Sequence, residues 1–284
     1  MPNALTELSA ALTAAVEAAS AYTLLVDARK RFPASGIAYA PDLLLTADHV
    51  VTRDDELRVG LPDGRTLPAS LAGRDPGSDL ALLRLSEKAL TPAKAAPAPK
   101  VGQVVLALGR PSSAGVQASF GILVSINGPA RPWRGGLLDQ FYQTETVPYP
   151  GFSGGPLVDA SGALLGLNTS GLMRGEALTI PAGAAWSIAQ ALAEHGSVKR
   201  GYLGVRTQPV EGGLLILWLE EGGPARSGGL LVGDILTGLN GQPLREADDL
   251  FGALNRDVVG KPVSVELLRG GQSQSLKVTP AERK

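Results

Sequence analysis

The sequence predicts a mostly β protein in two parts: a strand-rich body of sandwich or barrel type, then a small α+β domain. Three observations predict it. Short apolar runs separated by turn residues follow one another from residue 22 to about 180. A helical stretch and a polar linker, GSVKRG, then interrupt that pattern. The last stretch has its own strands and one helix, and about 80 residues suffice for a second domain.

The elements follow in order. Leu5, Leu8, Leu12, Ala15 and Val16 keep helical spacing, so residues 1–21 form an amphipathic helix that docks on the body or on a neighbouring subunit. The body spans 22–195. Its strands include YTLLVDA, GIAYAP, LLLTADHVV, LALLRL, VVLALG, FGILVSI, GPLVDA and ALLGLN. Turn chemistry separates them at Pro62-Asp63-Gly64, Asp75-Pro76-Gly77 and Ala160-Ser161-Gly162. The Pro/Ala-rich stretch at 90–102 is an exposed loop. AAWSIAQALAEH (184–195) is helical, and Gly196 suits its stop. After a linker at 196–200, residues 201–284 supply the strands GLLILWLE and GDILTGLNGQPL, then a hairpin turned at Arg269-Gly270-Gly271. READDLFGALNRD (245–257) is a helix with apolar Ala247, Leu250, Phe251 and Leu254, and Trp218 is expected in the core.

Composition narrows the function. Of 284 residues, 44% are apolar and 19% charged, enough for real cores. A net charge of −1 gives no basic field for nucleic acid or anionic lipid. With no cysteine, thiolate chemistry is excluded. With two histidines, His49 and His195, no metal site and no cofactor are expected. No run approaches a membrane span. The first thirty residues lack the positive start and unbroken apolar core of a secretory signal, so the literal expectation is a cytoplasmic protein.

GFSGGPLVD (151–159) raises the question of chemistry, because Ser153 attacks nothing without a base and an oxyanion site. His195 ends a helix beside the linker and reads as a solvated surface histidine. His49, in LLLTADHVV, is either a satisfied core residue or a base. Asp79, opening SDLALLRL, is either a strand-start turn residue or the orienter of that base. Taken together, the order His49, Asp79, Ser153 is one in which the Ser–His–Asp constellation occurs. GFSGG also matches the G-x-S-x-G elbow of α/β-hydrolases, but turn and strand follow the serine where the elbow needs a helix.

TADHVV, GRDPGSDLALLRL and GFSGGPLVD resemble the three catalytic segments of trypsin-like serine proteases. Together with LPDGRTLPASLAG, VGQVVLALGRPSS and KRGYLGV they resemble the HtrA/Deg branch, over roughly residues 22–280. The resemblance implies a double β-barrel with the site between barrels. It makes His49 the general base, Asp79 its orienter and Ser153 the nucleophile, with the N–H groups of Gly151 and Ser153 as the oxyanion hole. It places Val147, Phe152, Leu167, Asn168 and Thr169 around the pocket, where Val147 in place of an acid implies a small apolar side chain before the scissile bond. Phe152 stands where this branch usually has Asn. Pro148 and Pro150 imply a stiff oxyanion loop.

The segments GYLGV, GGPARSGGLLVGDILTGLNG and the helix near 246–256 resemble a PDZ domain, which captures a peptide C-terminus as an added strand. Tyr202, Leu203, Gly204 and Val205 would hold the carboxylate, and Leu250 and Leu254 would line the groove. The resemblance implies an ATP-independent endopeptidase for misfolded or unfolded polypeptides. The alternative is a low-turnover protease-like chaperone or peptide-binding scaffold. It also brings in a location outside the cytoplasm and a homotrimer built on aromatic contacts, for which Tyr22 and Trp133 are the residues to watch.

Overall fold

The computed structural model describes residues 3–129, 138–173, 176–198, 200–254 and 256–282; Trp133 lies outside them. Contacts divide the chain into two units, Met1–Ser197 and Val198–Lys284.

The first unit holds two closed six-stranded barrels. Strands β1 (Thr23–Asp27), β2 (Ala34–Ala40), β3 (Leu43–Ala47), β4 (Leu57–Gly60), β5 (Thr66–Asp75) and β6 (Leu80–Leu85) close in the order β1-β2-β3-β6-β5-β4. Strands β7 (Val104–Ser112), β8 (Gly115–Asn127), β9 (Phe141–Thr144), β10 (Pro156–Asp159), β11 (Leu164–Met173) and β12 (Glu176–Pro181) close as β10-β11-β12-β9-β8-β7. Leu80, Ala81, Leu82 and Leu83 are all fully buried, although a half-solvated strand would alternate. The reason is the helix α2 (Ala182–His195), which packs over β6 and β5 and covers their outer face. Gly196 ends α2 with φ +73, a left-handed stop that suits glycine.

Helix α1 (Ala4–Ser20) docks on β1, β7 and β10 by its second half, where Leu12 and Val16 are half-buried. Leu5 and Leu8 are exposed; Ala15 and Ala19 are buried instead. Small side chains let the backbones approach so closely that a Cβ on Gly162 would lie 2.6 Å from the Ala15 carbonyl oxygen. Tyr22 is buried beside this contact and donates its hydroxyl to the Gly162 carbonyl at 2.5 Å. Burial, with nearby Asp159, pushes its phenol above the usual range. Tyr22 therefore packs within its own unit.

The second unit pairs β13 (Gly201–Tyr202) with β20 (Ala281–Glu282). Its main sheet runs β14-β15-β16-β18-β19, from β14 (Val205–Val210), β15 (Gly213–Leu219), β16 (Ile235–Leu239), β18 (Val263–Arg269) and β19 (Gln272–Val278), with β17 (Gln242–Pro243) beside β16. Helices α3 (Pro224–Ser227) and α4 (Ala247–Ala253) complete it, and Leu214, Ile216, Leu236, Val265 and Leu267 centre the core. Trp218 corrects an expectation. It is 44% exposed, outside the core, under the Arg206 guanidinium at 5.1 Å. A register shift between Arg206 and Thr207 breaks the alternation of β15, so Leu217 and Trp218 both face outward.

An ion pair between buried Asp234 and partly exposed Arg269 braces this unit. Asp234 accepts Nε of Arg269 at 2.8 Å, Nη2 of Arg269 at 2.7 Å and the Leu231 N–H at 2.8 Å. Burial alone would raise the carboxyl; Arg269 and the Leu231 N–H outweigh it and hold it below the usual carboxylate range. A folded pKa below the unfolded one means stabilisation that is present above about pH 4 and lost as pH falls through the folded value. Calorimetry of the whole chain should show this unit's transition dropping on acidification. Asp234→Asn should lower it at neutral pH by about 10 °C and weaken its acid dependence.

Candidate active site

Strand β3 ends at Ala47, and a short turn Asp48–Val50 carries His49 past its edge. Asp79 sits just before β6, which pairs directly with β3 through Ala47↔Leu80, so the two residues are neighbours by register. Asp79 adopts φ +55, a left-handed conformation that Asp tolerates better than most side chains. It is fully buried, and its charge is met by donors. The His49 backbone N–H reaches Oδ1 at 2.8 Å, His49 Nδ1 lies 2.8 Å from Oδ2, and the Thr169 hydroxyl also donates to Oδ2. A carboxylate accepting at Nδ1 puts that ring proton on Nδ1 and leaves Nε2 as the basic nitrogen.

Ser153 comes from the other barrel, in the loop before β10. Its Oγ pairs with Ser170 Oγ at 3.2 Å, and no hydrogen bond joins it to His49 among the described residues. The loop conformation explains its glycines. Gly151 has φ +89, and a Cβ there would meet Pro111 at 2.6 Å. Gly154 has φ +86, with the Ser35 carbonyl oxygen 2.1 Å from the place of its missing Cβ. Phe152 is buried with Val105, Ala107, Leu123 and Leu157, and stacks edge-on with Tyr149 at 5.5 Å. The N–H groups of Gly151 and Ser153 have no hydrogen-bond partner among the described residues. Two donors left open beside a serine are the arrangement an oxyanion requires.

A cleft of about 570 Å³ brings His49, Gly151, Phe152, Ser153, Asn168 and Thr169 together. Val147 and Leu167 do not line it. Val147 is half exposed, with its N–H on the Ser119 hydroxyl, and Leu167 points into the barrel. The pleat of β11 sends Asn168 toward the cleft, opposite Thr179, whose hydroxyl donates to Asn168 Oδ1 at 2.7 Å. Thr144 and Thr146 add further hydroxyls, so the walls are more polar than Val147 implied. His195 lies at the surface beside Glu194.

Sequence reasoning missed Ser35 and Gly171 here, and the contact made by Ser170 at the end of the pocket strand LNTS. Ser35 bonds the oxyanion loop, Ser170 holds the Ser153 hydroxyl, and Gly171 leaves room for the pair: a Cβ on it would lie 2.4 Å from both Asp79 Oδ2 and His49 Nδ1. Only a juxtaposition of distant strands reveals them.

In the second unit, β14 is an edge strand with one side unpaired in the sheet and α4 near it. Tyr202, Leu203, Gly204 and Val205 lead into it. Gly204 has φ +74, and the N–H groups of Leu203 and Gly204 have no partner among the described residues. Leu203, Leu250 and Leu254 are buried in the core, and the Leu254 carbonyl accepts the Gly201 N–H at 2.8 Å, tying the helix end to that loop.

Two barrels with this constellation between them, followed by a small sheet with an open edge, define a trypsin-like peptidase joined to a PDZ domain. Family models for these match residues 34–167 and 201–279 respectively. The solved HtrA-type protease AlgW with tripeptide is similar at a TM-score of 0.82 and 30% identity, covering 96% of this chain and 97% of that one. The serine endoprotease of Yersinia pestis aligns over the full length of both chains at a TM-score of 0.84 and 28% identity. The chain belongs to the HtrA-type family of trypsin-like serine proteases. Among curated relatives, the probable periplasmic serine endoprotease DegP-like of Pseudomonas savastanoi pv. phaseolicola is 36% identical over 265 residues, 86% of this chain and 55% of that protein. The counterpart from Halomonas elongata is 34% identical over 270 residues. The chain thus spans about half the length of the curated relatives it matches. Their periplasmic designation overturns the expectation of a cytoplasmic location. That expectation rested on the composition of residues 1–30, and folding chemistry there carries no record of compartment. No helix among the described residues is long and apolar enough to cross a membrane.

Proposed function

We propose that this chain is an ATP-independent serine endopeptidase that cuts unfolded or misfolded polypeptides outside the cytoplasm. Residues 22–195 carry the chemistry and residues 201–284 bind peptide C-termini. The observation that carries the reading is the buried Asp79 holding His49 Nδ1 at the cleft that contains Ser153. In the reaction, Ser153 leaves Ser170, passes its proton to His49 Nε2 and attacks the carbonyl. The oxyanion falls to the N–H groups of Gly151 and Ser153. His49 then gives the proton to the departing amine, and water repeats the sequence to release the acyl group. Asp79 remains ionised throughout and stabilises the imidazolium. In the second domain, a peptide adds to the open edge of β14 with its carboxylate on the Leu203 and Gly204 N–H groups. Hydrolysis of unfolded casein by the whole chain, beside its Ser153→Ala variant, tests the reading.

The Ser153–Ser170 contact favours a resting state of low turnover, which is what a protease-like chaperone would show. Ser170→Ala frees the nucleophile. It should raise the rate of Ser153 phosphonylation by a fluorophosphonate a few-fold, measured by mass spectrometry under pseudo-first-order conditions.

A further inference from the structure

Ser35 lies on β2, in the barrel opposite Ser153, and is fully buried. Each of its three polar groups is engaged, and two of its four hydrogen bonds go to the loop that carries Ser153. Its Oγ donates to the Gly151 carbonyl at 2.7 Å and accepts the Arg110 N–H at 2.8 Å. Its N–H donates to the Ser153 carbonyl at 3.1 Å. Its own carbonyl accepts the Thr46 hydroxyl at 2.7 Å, on the strand that leads to His49.

The consequence lies in which peptides are gripped. Four successive peptide units run from Pro150 to Gly154. The second and fourth, 151–152 and 153–154, have their carbonyls held by Ser35. The first and third, 150–151 and 152–153, carry the open N–H donors of Gly151 and Ser153. The second is pinned at its other end as well, because the Phe152 N–H donates to the Tyr149 carbonyl at 3.1 Å. A peptide unit cannot rotate freely while both neighbours are fixed. Gly151 is the hinge that would let the loop turn, since glycine crosses φ/ψ space cheaply.

We propose that Ser35 is a positioning residue for the oxyanion hole. Its hydroxyl fixes the Gly151–Phe152 peptide, and so aims the N–H groups on either side, in register with the strand that bears His49. This rests on the endopeptidase reading above. Arg110 extends the link outward: its guanidinium donates to the carbonyls of Thr23 and Ser20, the latter the last residue of α1.

The test compares the whole chain with its Ser35→Ala and Ser35→Thr variants, using a chromogenic peptide and a peptide aldehyde whose hemiacetal requires the hole. Ser35→Ala should lower kcat about 30-fold with KM within about two-fold, and weaken the aldehyde by a similar factor, since one oxyanion donor accounts for about 10²–10³. Ser35→Thr, which keeps the hydroxyl, should recover most of that loss. A Ser35→Ala variant with wild-type kcat, a change confined to KM, or a Thr variant no better than Ala at equal thermal stability overturns the proposal. If Ser35→Ala fails to fold, a folded Ser35→Thr variant must keep kcat and aldehyde affinity within a few-fold, and loss of both overturns it. A wild-type chain that neither cleaves nor binds the aldehyde sinks the endopeptidase reading instead, and the Ser35 assignment with it.

Discussion

Ser153→Ala is expected to reduce casein hydrolysis by about 10⁵- to 10⁶-fold, to the limit of detection, with the fold intact. The cost is large because the hydroxyl is the atom that forms the new bond; no other group in the cleft replaces it. His49 would retain its bond to Asp79, and the open N–H groups would still bind a carbonyl, so the residual rate measures what polarisation alone achieves. Ser153 is partly accessible at the rim of a loop already shaped by Gly151 and Gly154, so losing one oxygen leaves its packing almost unchanged. Circular dichroism and thermal unfolding should match wild type. Activity that survives in Ser153→Ala would place the nucleophile elsewhere.

Asp79→Asn should lower kcat about 10⁴-fold with KM nearly constant. An amide in this pocket receives three donors: the His49 N–H, the Thr169 hydroxyl and the ring Nδ1. It can accept at one atom only. Whichever way it turns, its NH₂ faces a donor, and the relief available to His49 is to move its proton to Nε2. That tautomer cannot accept from Ser153. The variant therefore separates tautomer control from charge. Kinetics on a peptide substrate, with ring nitrogens followed by NMR, should show loss of the Nδ1–H resonance together with the loss of rate. An Asp79→Asn enzyme within tenfold of wild type would mean that Asp79 merely fills its turn.

The three segments of the constellation were legible because each combines a rare residue with strand-edge context: one histidine after LLLTAD, one aspartate before LALLRL, one serine among glycines. The strands were legible for a related reason, since apolar runs between turn residues are local; their closure into two barrels came only with the family resemblance. What escaped depends on pairs far apart in the chain. Ser35 looks like any small residue in a strand until β2 is laid against the loop 116 residues later. Gly171 matters only because Asp79 and His49 sit where its side chain would be. The docking face of α1 was legible in its second half, where Leu12, Ala15 and Val16 of the apolar stripe turn inward, and not in its first, where Leu5 and Leu8 stay exposed. Trp218 was misplaced by a single register shift, which no count of alternating residues detects. Compartment is a different kind of property, carried by relatives and not by packing.

His49 and Asp79 stand on the first barrel and Ser153 on the second, with Ser35 reaching across. On the proposed reading, the site belongs to the seam between the two barrels and to neither barrel alone. A copy whose seam opens would then be disarmed while its strands persist. Self-digestion would need an intact copy to meet an opened one, so its rate would rise with the product of the two populations, and dilution would protect the stock.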